Sequence, residues 1–367
     1  MASTHTADVT GPHAAKFYTR QWHPPAGQPV IAQLCFVHGF IEHIDRYSHV
    51  FPRFASAGIA VYAFDQRGFG KTATYTPKHS QGITSWPLQL GDLEFFIQEA
   101  RKAHAGVPLY LFGHSMGGGL ALAYPTRSPP SPSVALLSGV IASSPLLRQA
   151  PAVKAPGVIV KAGSLLGRLS ATLPIKATVK AEDTCRDPVI QKAYAADPLC
   201  KQVGTYRGVA DMLLGGEALV TKDYKHWPKR LPLLVVHGEG DKVTDHEASK
   251  LFVRNLEKLG TTDASYEGFP GFFHEMHNEP GDDKWREINF IIDWIVTRAQ
   301  SVTASSLPAA DAVPAAREAE APDAAPDAAV SEVAASHKIS VDGGEMPSAP
   351  VGLALGETAE EARASKL

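Results

Sequence analysis

Cysteine, long apolar runs and one-signed charge are all scarce in this sequence. Only three cysteines occur in 367 residues, Cys35, Cys185 and Cys200. That is too few for a disulfide framework, and reduced thiols in an intracellular compartment are expected. No stretch of 18 apolar residues is present, so no transmembrane helix is expected. The first residues are polar, without a charged head followed by an apolar block. No secretory signal is therefore expected, and residues 1–14 read as a flexible N-terminus. With 35 Lys+Arg against 38 Asp+Glu there is no basic stripe, which removes nucleic acid as a partner.

The small net charge hides two unlike pieces. Residues 301–367 hold 11 acidic and 4 basic side chains, 19 alanines, 6 prolines and no Phe, Trp or Tyr. Such a tail cannot bury enough surface to offset its ordering entropy, so disorder is expected there. Residues 1–300 carry a surplus of four positive charges.

Within that part, short apolar runs alternate with amphipathic stretches. Candidate strands are Gln33–Val37, Ile59–Phe64, Pro108–Phe112, Val134–Ala142, Leu231–Val236 and Ala264–Glu267. Candidate helices are Leu90–Ala103, His246–Leu259 and Lys284–Ala299. This rhythm predicts an α/β fold with a mostly parallel sheet flanked by helices, built from residues 15–145 and 230–300. Residues 146–229 contain no convincing strand, and their length predicts an inserted, mainly helical cap.

The strongest chemical signal is Gly113-His114-Ser115-Met116-Gly117, between an apolar run and a helix-compatible segment. Small residues flanking serine suit a sharp strand-to-helix turn that exposes the hydroxyl. Serine needs a base, and the base needs an orienting carboxylate; in this architecture they follow in the order Ser, acid, His. Asp241 lies just past the run Leu233–Val236, with Glu239 and Asp245 as rivals. Of the histidines that follow, His274 and His277 occupy the loop before the terminal helix, and spacing alone does not separate them. Oxyanion donors are expected at the backbone N–H of Met116, next to the serine, and of Phe40, in the loop after the first core strand. No metal-spaced His/Cys cluster occurs, and the chemistry needs neither metal nor organic cofactor.

These residues carry a family resemblance. His38-Gly39-Phe40-Ile41-Glu42-His43 with Arg46-Tyr47, Asp65-Gln66-Arg67-Gly68-Phe69-Gly70 and Gly113–Gly118 are similar to the monoacylglycerol lipase branch of the α/β-hydrolases. Ser144-Pro145-Leu146, Ala196–Leu199, Gly238–Asp241, Tyr266–Gly268 and His274–Pro280 extend the match over roughly residues 20–298. The resemblance implies Ser115 as nucleophile, Asp241 as acid and His274 rather than His277 as base. It also implies Glu42, Arg46, Tyr194 and His277 around the polar end where glycerol leaves, and a cap that moulds an acyl tunnel. Phe40-Ile41 and Phe269-Pro270 depart from the family pattern. An ion pair between Glu42 and Arg46 is an equal reading of those two residues, and ordinary cap packing serves for Tyr194.

The expected activity is hydrolysis of a monoacylglycerol ester through an acyl-enzyme, with lysophospholipase or general carboxylesterase as the alternative. Leu146–Lys180 carries six basic residues and no acidic one. If 157–169 is helical, Val158, Ile159, Ala162, Leu165, Leu166 and Leu169 form one apolar stripe, with Lys154, Lys161 and Arg168 on another face. That pattern predicts peripheral contact of the cap with a membrane or lipid-droplet surface. The closing Ser365-Lys366-Leu367 matches the peroxisomal import signal, so an import receptor and a peroxisomal location are expected, alongside cytoplasm or lipid droplets.

Overall fold

The computed structural model describes residues 1–76 and 80–306. The tail of residues 307–367, with its expected disorder and its targeting tripeptide, lies outside the described residues.

Eight strands form one sheet in the order β1-β2-β4-β3-β5-β6-β9-β10. They are β1 (Ser3–Thr10), β2 (Lys16–His23), β3 (Ala32–Val37), β4 (Ile59–Phe64), β5 (Leu109–His114), β6 (Leu137–Ser143), β9 (Leu233–Gly238) and β10 (Ala264–Phe269). The six from β3 onward run parallel, while β1 and β2 are antiparallel additions at one edge. The inner parallel strands read as largely apolar runs because both faces are covered, whereas the edge strand β10, Ala-Ser-Tyr-Glu-Gly-Phe, is mostly half-buried with Glu267 exposed. On β3, for example, Leu34 and Phe36 join Tyr110, Ile141 and Ile295 on one side, while Cys35 and Val37 join Leu111, Leu120 and Phe252 on the other. Helices α1 (Phe51–Ser56) and α9 (Asp283–Ser306) flank one face, and α2 (Trp86–Ala103), α3 (Met116–Ala123) and α8 (His246–Lys258) the other.

Between β6 and β9 lie α4 (Gly157–Leu169), α5 (Ala181–Thr184), α6 (Pro188–Ala196), α7 (Tyr206–Thr221) and a ribbon of β7 (Pro174–Lys176) with β8 (Val203–Thr205). The far end of α7 returns to the main core, where Leu219 and Val220 are buried.

Two differences from the sequence reading have physical causes. Residues 1–14 are not a free leader: β1 pairs with β2 from Ser3↔His23 to Thr10↔Lys16. Backbone hydrogen bonds and threonine's strand preference hold it there, and neither leaves an apolar signature. Val134–Leu136 belongs to a 3-10 turn rather than to β6, because Ser131 accepts from the Ser133 N–H at 3.2 Å and starts that turn.

Candidate active site

Ser115 joins β5 to α3 with φ 54° and ψ −118°, a backbone region an L-residue enters only under constraint. Crowding imposes the constraint. A Cβ on Gly113 would run into the Gly117 carbonyl, and one on Gly117 into the carbonyl of Val37 at the end of β3. The Ser115 N–H donates to the Ser143 carbonyl at 3.0 Å, which ties the turn to β6.

Ser115 Oγ lies 2.9 Å from His274 Nε2, and His274 Nδ1 lies 2.8 Å from Asp241 Oδ2. Three loops, after β5, β9 and β10, bring these buried groups together at the carboxyl ends of parallel strands, where open α/β sheets present their ligand sites. Asp241 Oδ1 accepts from the N–H groups of Val243 (2.7 Å) and Thr244 (3.0 Å), and Oδ2 also accepts from Thr244 Oγ1 at 2.7 Å. Burial would raise the Asp241 carboxyl, but His274 and His237 outweigh it and hold it well below the usual carboxylate range. Burial likewise pulls the His274 imidazole down, yet the charge and hydrogen bond of Asp241 leave it above its ordinary value. An ionised Asp241 requires the proton on Nδ1, so the Nε2 lone pair faces the serine hydroxyl. The arrangement can take a proton from Ser115 and keep the resulting imidazolium paired.

The rival acids have other partners. Asp245 caps α8 by accepting from the Glu247 N–H at 3.0 Å, and Glu239 faces Lys250 at 3.7 Å. The sequence reading missed His237, whose Nε2 lies 3.1 Å from Asp241 Oδ2 and whose Nδ1 lies 2.9 Å from Ser249 Oγ. Facing a carboxylate, Nε2 must carry the hydrogen, so Nδ1 accepts from Ser249. Its place four residues before Asp241, at the end of a buried strand, was the available signal.

The loop after β3 passes beside Ser115. The Glu42 carboxylate pins it, accepting from the Gly39 N–H and from the Tyr47 hydroxyl. Phe40 borders the Ser115 cavity, and the Met116 N–H opens α3, where no helical carbonyl is available to it. Arg46 donates to Glu42 at 3.0 Å and to both Glu275 oxygens at 2.7 and 2.6 Å. Burial and the neighbouring Glu275 charge push the Glu42 carboxyl up. Glu275, burial notwithstanding, is held down by the guanidinium.

Glu42, Tyr194 and Glu275 line a small polar notch of about 10 Å³ against Ser115 and His274, room for about one water. Tyr194 packs its ring on the Arg46 guanidinium at 4.8 Å and accepts from Gln202. Neither Arg46 nor His277 is among the residues lining the cavities at Ser115. Arg46 stands behind Glu42, and His277 stacks on Tyr47 at 4.7 Å, where burial draws its pKa down to about 3. On the other side of Ser115 an apolar cavity of about 290 Å³ runs beneath the cap, walled by Phe40, Leu146, Val179, Val209, Met212 and Leu213.

One group with metal-ligand chemistry comes together among the described residues: His43, Asp197 and Cys200, with ligating atoms within 4.8 Å of one another. His43 and Asp197 already pair at 2.9 Å, linking the loop after β3 to the cap.

Comparison with known proteins matches residues 28–281 to the family described as serine aminopeptidase, S33. A putative monoglyceride lipase of Schizosaccharomyces pombe is 36% identical over 283 residues, covering 77% of this chain and 71% of that one. A monoacylglycerol lipase of Mycolicibacterium smegmatis is 32% identical, covering 75% and 91%. Among solved structures, a soluble variant of the Saccharomyces cerevisiae monoglyceride lipase in complex with a substrate analog superposes with TM-score 0.72. It is 25% identical over 80% of this chain and 94% of that one.

Proposed function

The chain belongs to the serine aminopeptidase S33 family of α/β-hydrolases, and on that premise we propose that it hydrolyses monoacylglycerols to glycerol and a free fatty acid. The observation that carries this reading is the Ser115–His274–Asp241 line at the junction of an apolar cavity and a polar notch. An acyl chain fits the apolar walls, and the notch beside Glu42 and Tyr194, with room for about one water, offers a polar place for a single glyceryl hydroxyl. Cleaving an N-terminal amino acid from a peptide would instead call for a free carboxylate to hold its ammonium. The notch carboxylates, Glu42 and Glu275, are already shared with Arg46.

In the first half-reaction Ser115 Oγ attacks the ester carbonyl while its proton passes to His274 Nε2. The oxyanion forms against the N–H groups of Phe40 and Met116. Collapse expels the glycerol oxygen, which takes the proton back from His274, and leaves an acyl-serine. Water then attacks that ester, activated by the same nitrogen, and releases the acid. Asp241 holds the imidazole tautomer and stabilises its charged form throughout.

A fluorophosphonate probe should label the protein, and Ser115→Ala should lose both label and ester hydrolysis, the latter by on the order of 10⁴-fold or more. Persisting label would remove Ser115 from the mechanism. Steady-state rates on monoacylglycerols, lysophospholipids and short esters decide the headgroup; faster turnover of lysophospholipids or short esters would replace the proposed substrate. We also propose that the exposed apolar face of α4 rests on a lipid surface and that Ser365-Lys366-Leu367 directs import into peroxisomes. Deleting Leu367 should leave the protein cytosolic in a cell with labelled peroxisomes; unchanged peroxisomal localisation would end the targeting proposal.

A further inference from the structure

A second cavity, of about 590 Å³, lies between α4 and α7 and does not include Ser115. Leu147, Val160, Leu213 and Leu214 supply apolar wall, and Gln149, Ala155 and Leu213 also border the cavity that reaches Ser115. The two spaces are therefore neighbours across a shared wall. The rim of the second one is cationic. Arg148 is neutralised by Glu217, which accepts from it at 2.7 and 2.8 Å. Lys154, just ahead of α4, and Lys161, on α4, are exposed, and neither forms an ion pair among the described residues. No acidic residue occurs anywhere between Leu146 and Lys180.

A neutral ester substrate gives such a rim nothing to hold. Hydrolysis changes that, because the acid released is ionised at neutral pH, with an ordinary carboxyl pKa of roughly 4–5. Leaving that carboxylate among apolar side chains is unfavourable without a cation beside it. An apolar chamber with two surplus lysines, sharing a wall with the acyl cavity, suits the product and not the substrate.

We infer that the α4–α7 cavity is a binding site for a long-chain fatty-acid anion, with Lys154 and Lys161 holding the carboxylate and Leu147, Val160 and Leu213 contacting the chain. The inference rests on the ester-hydrolase reading for its biological sense. Its test does not, because a free acid binds whether or not the protein turns over an ester.

The full-length protein is titrated with cis-parinaric acid and with the corresponding neutral alcohol, both followed by fluorescence. The wild type should bind the acid at least tenfold more tightly than the alcohol, and added salt should narrow the difference. Lys154→Glu/Lys161→Glu, at two exposed positions, should bring the ratio to about one while leaving alcohol affinity unchanged. Equal affinities in the wild type, or a ratio that survives in the double variant, would overturn the site. Vesicles of phosphatidylglycerol separate a lipid headgroup from a free acid. Loss of vesicle binding with the acid preference retained would assign the lysines to the membrane surface and also overturn it. Loss of Ser115 labelling in an otherwise intact acid titration would count against the hydrolase reading alone.

Discussion

Proton transfer from a serine hydroxyl depends on the charge of one imidazole, and the groups around Asp241 set that charge. His274 acts as a base only when neutral, and its pKa in the folded protein is raised above the ordinary 6.5. Hydrolysis should therefore rise with pH, with the acid limb of kcat/KM centred above 6.5. His237 shares the carboxylate that sets this point. It is buried and neutral, because burial lowers its pKa more than Asp241 raises it, and it draws on the same Asp241 oxygen as His274. Removing that donor concentrates negative charge toward His274. His237→Leu should thus move the acid limb to higher pH and lower kcat/KM by up to about tenfold, the value of one hydrogen bond. A pH profile that falls in amplitude without moving would reduce His237 to packing.

At the level of elements, α4 shows how one apolar stripe can have two readings that only burial separates. Its spacing in the sequence fits a helix laid against a core as well as one laid on lipid. In the structure Val158, Ile159, Leu165 and Leu169 are 61–80% exposed and Leu166 42%, so the stripe faces outward. Exposed apolar surface of that extent is the observation on which the proposed lipid contact rests. Leu165→Glu/Leu166→Glu should abolish sedimentation with anionic vesicles while leaving the circular dichroism spectrum and hydrolysis of a short soluble ester unchanged. Undiminished sedimentation with normal folding would show that α4 does not contact lipid. The turn before α3 is the opposite case. There the small residues of Gly113–Gly117 were already legible, because a Cβ at either end would meet backbone rather than open space.

Across the whole molecule the cap is tied to the catalytic loops at buried points. The Glu275 N–H donates to the Thr184 carbonyl at 2.6 Å, His43 pairs with Asp197, and Arg186 donates to Glu279 at 2.8 Å. Glu279 is fully buried and also accepts from the Phe273 N–H at 2.6 Å, so the residue preceding His274 is held through the same carboxylate. Arg186→Ala would leave that carboxylate short of its cation. With Arg186 about 35% exposed, the loss should be about 1–3 kcal/mol, below the cost of breaking a wholly buried pair. Differential scanning calorimetry should register it as a drop of several degrees in Tm, and an unchanged Tm would show that the pair contributes little.

The sequence by itself determined the parallel strands, the turn at Ser115 and the order of nucleophile, acid and base, since each leaves a local mark: continuous apolar runs, small residues around a serine, a carboxylate just past a strand. It misled on β1, expected as a flexible terminus but held by backbone hydrogen bonds, and on the β7–β8 ribbon, where no strand was expected because its strands are three residues each. Only the tertiary structure decided that His277 turns away to Tyr47, that Arg46 is shared between two carboxylates, that His237 joins Asp241, and that α4 exposes its apolar side. Some of these are meetings of residues far apart along the chain, such as Arg46 with Glu275; others, such as His237 with Asp241 four residues on, depend on how the chain turns at the end of a strand, or on which face is covered. They follow from packing, which no single stretch of sequence records.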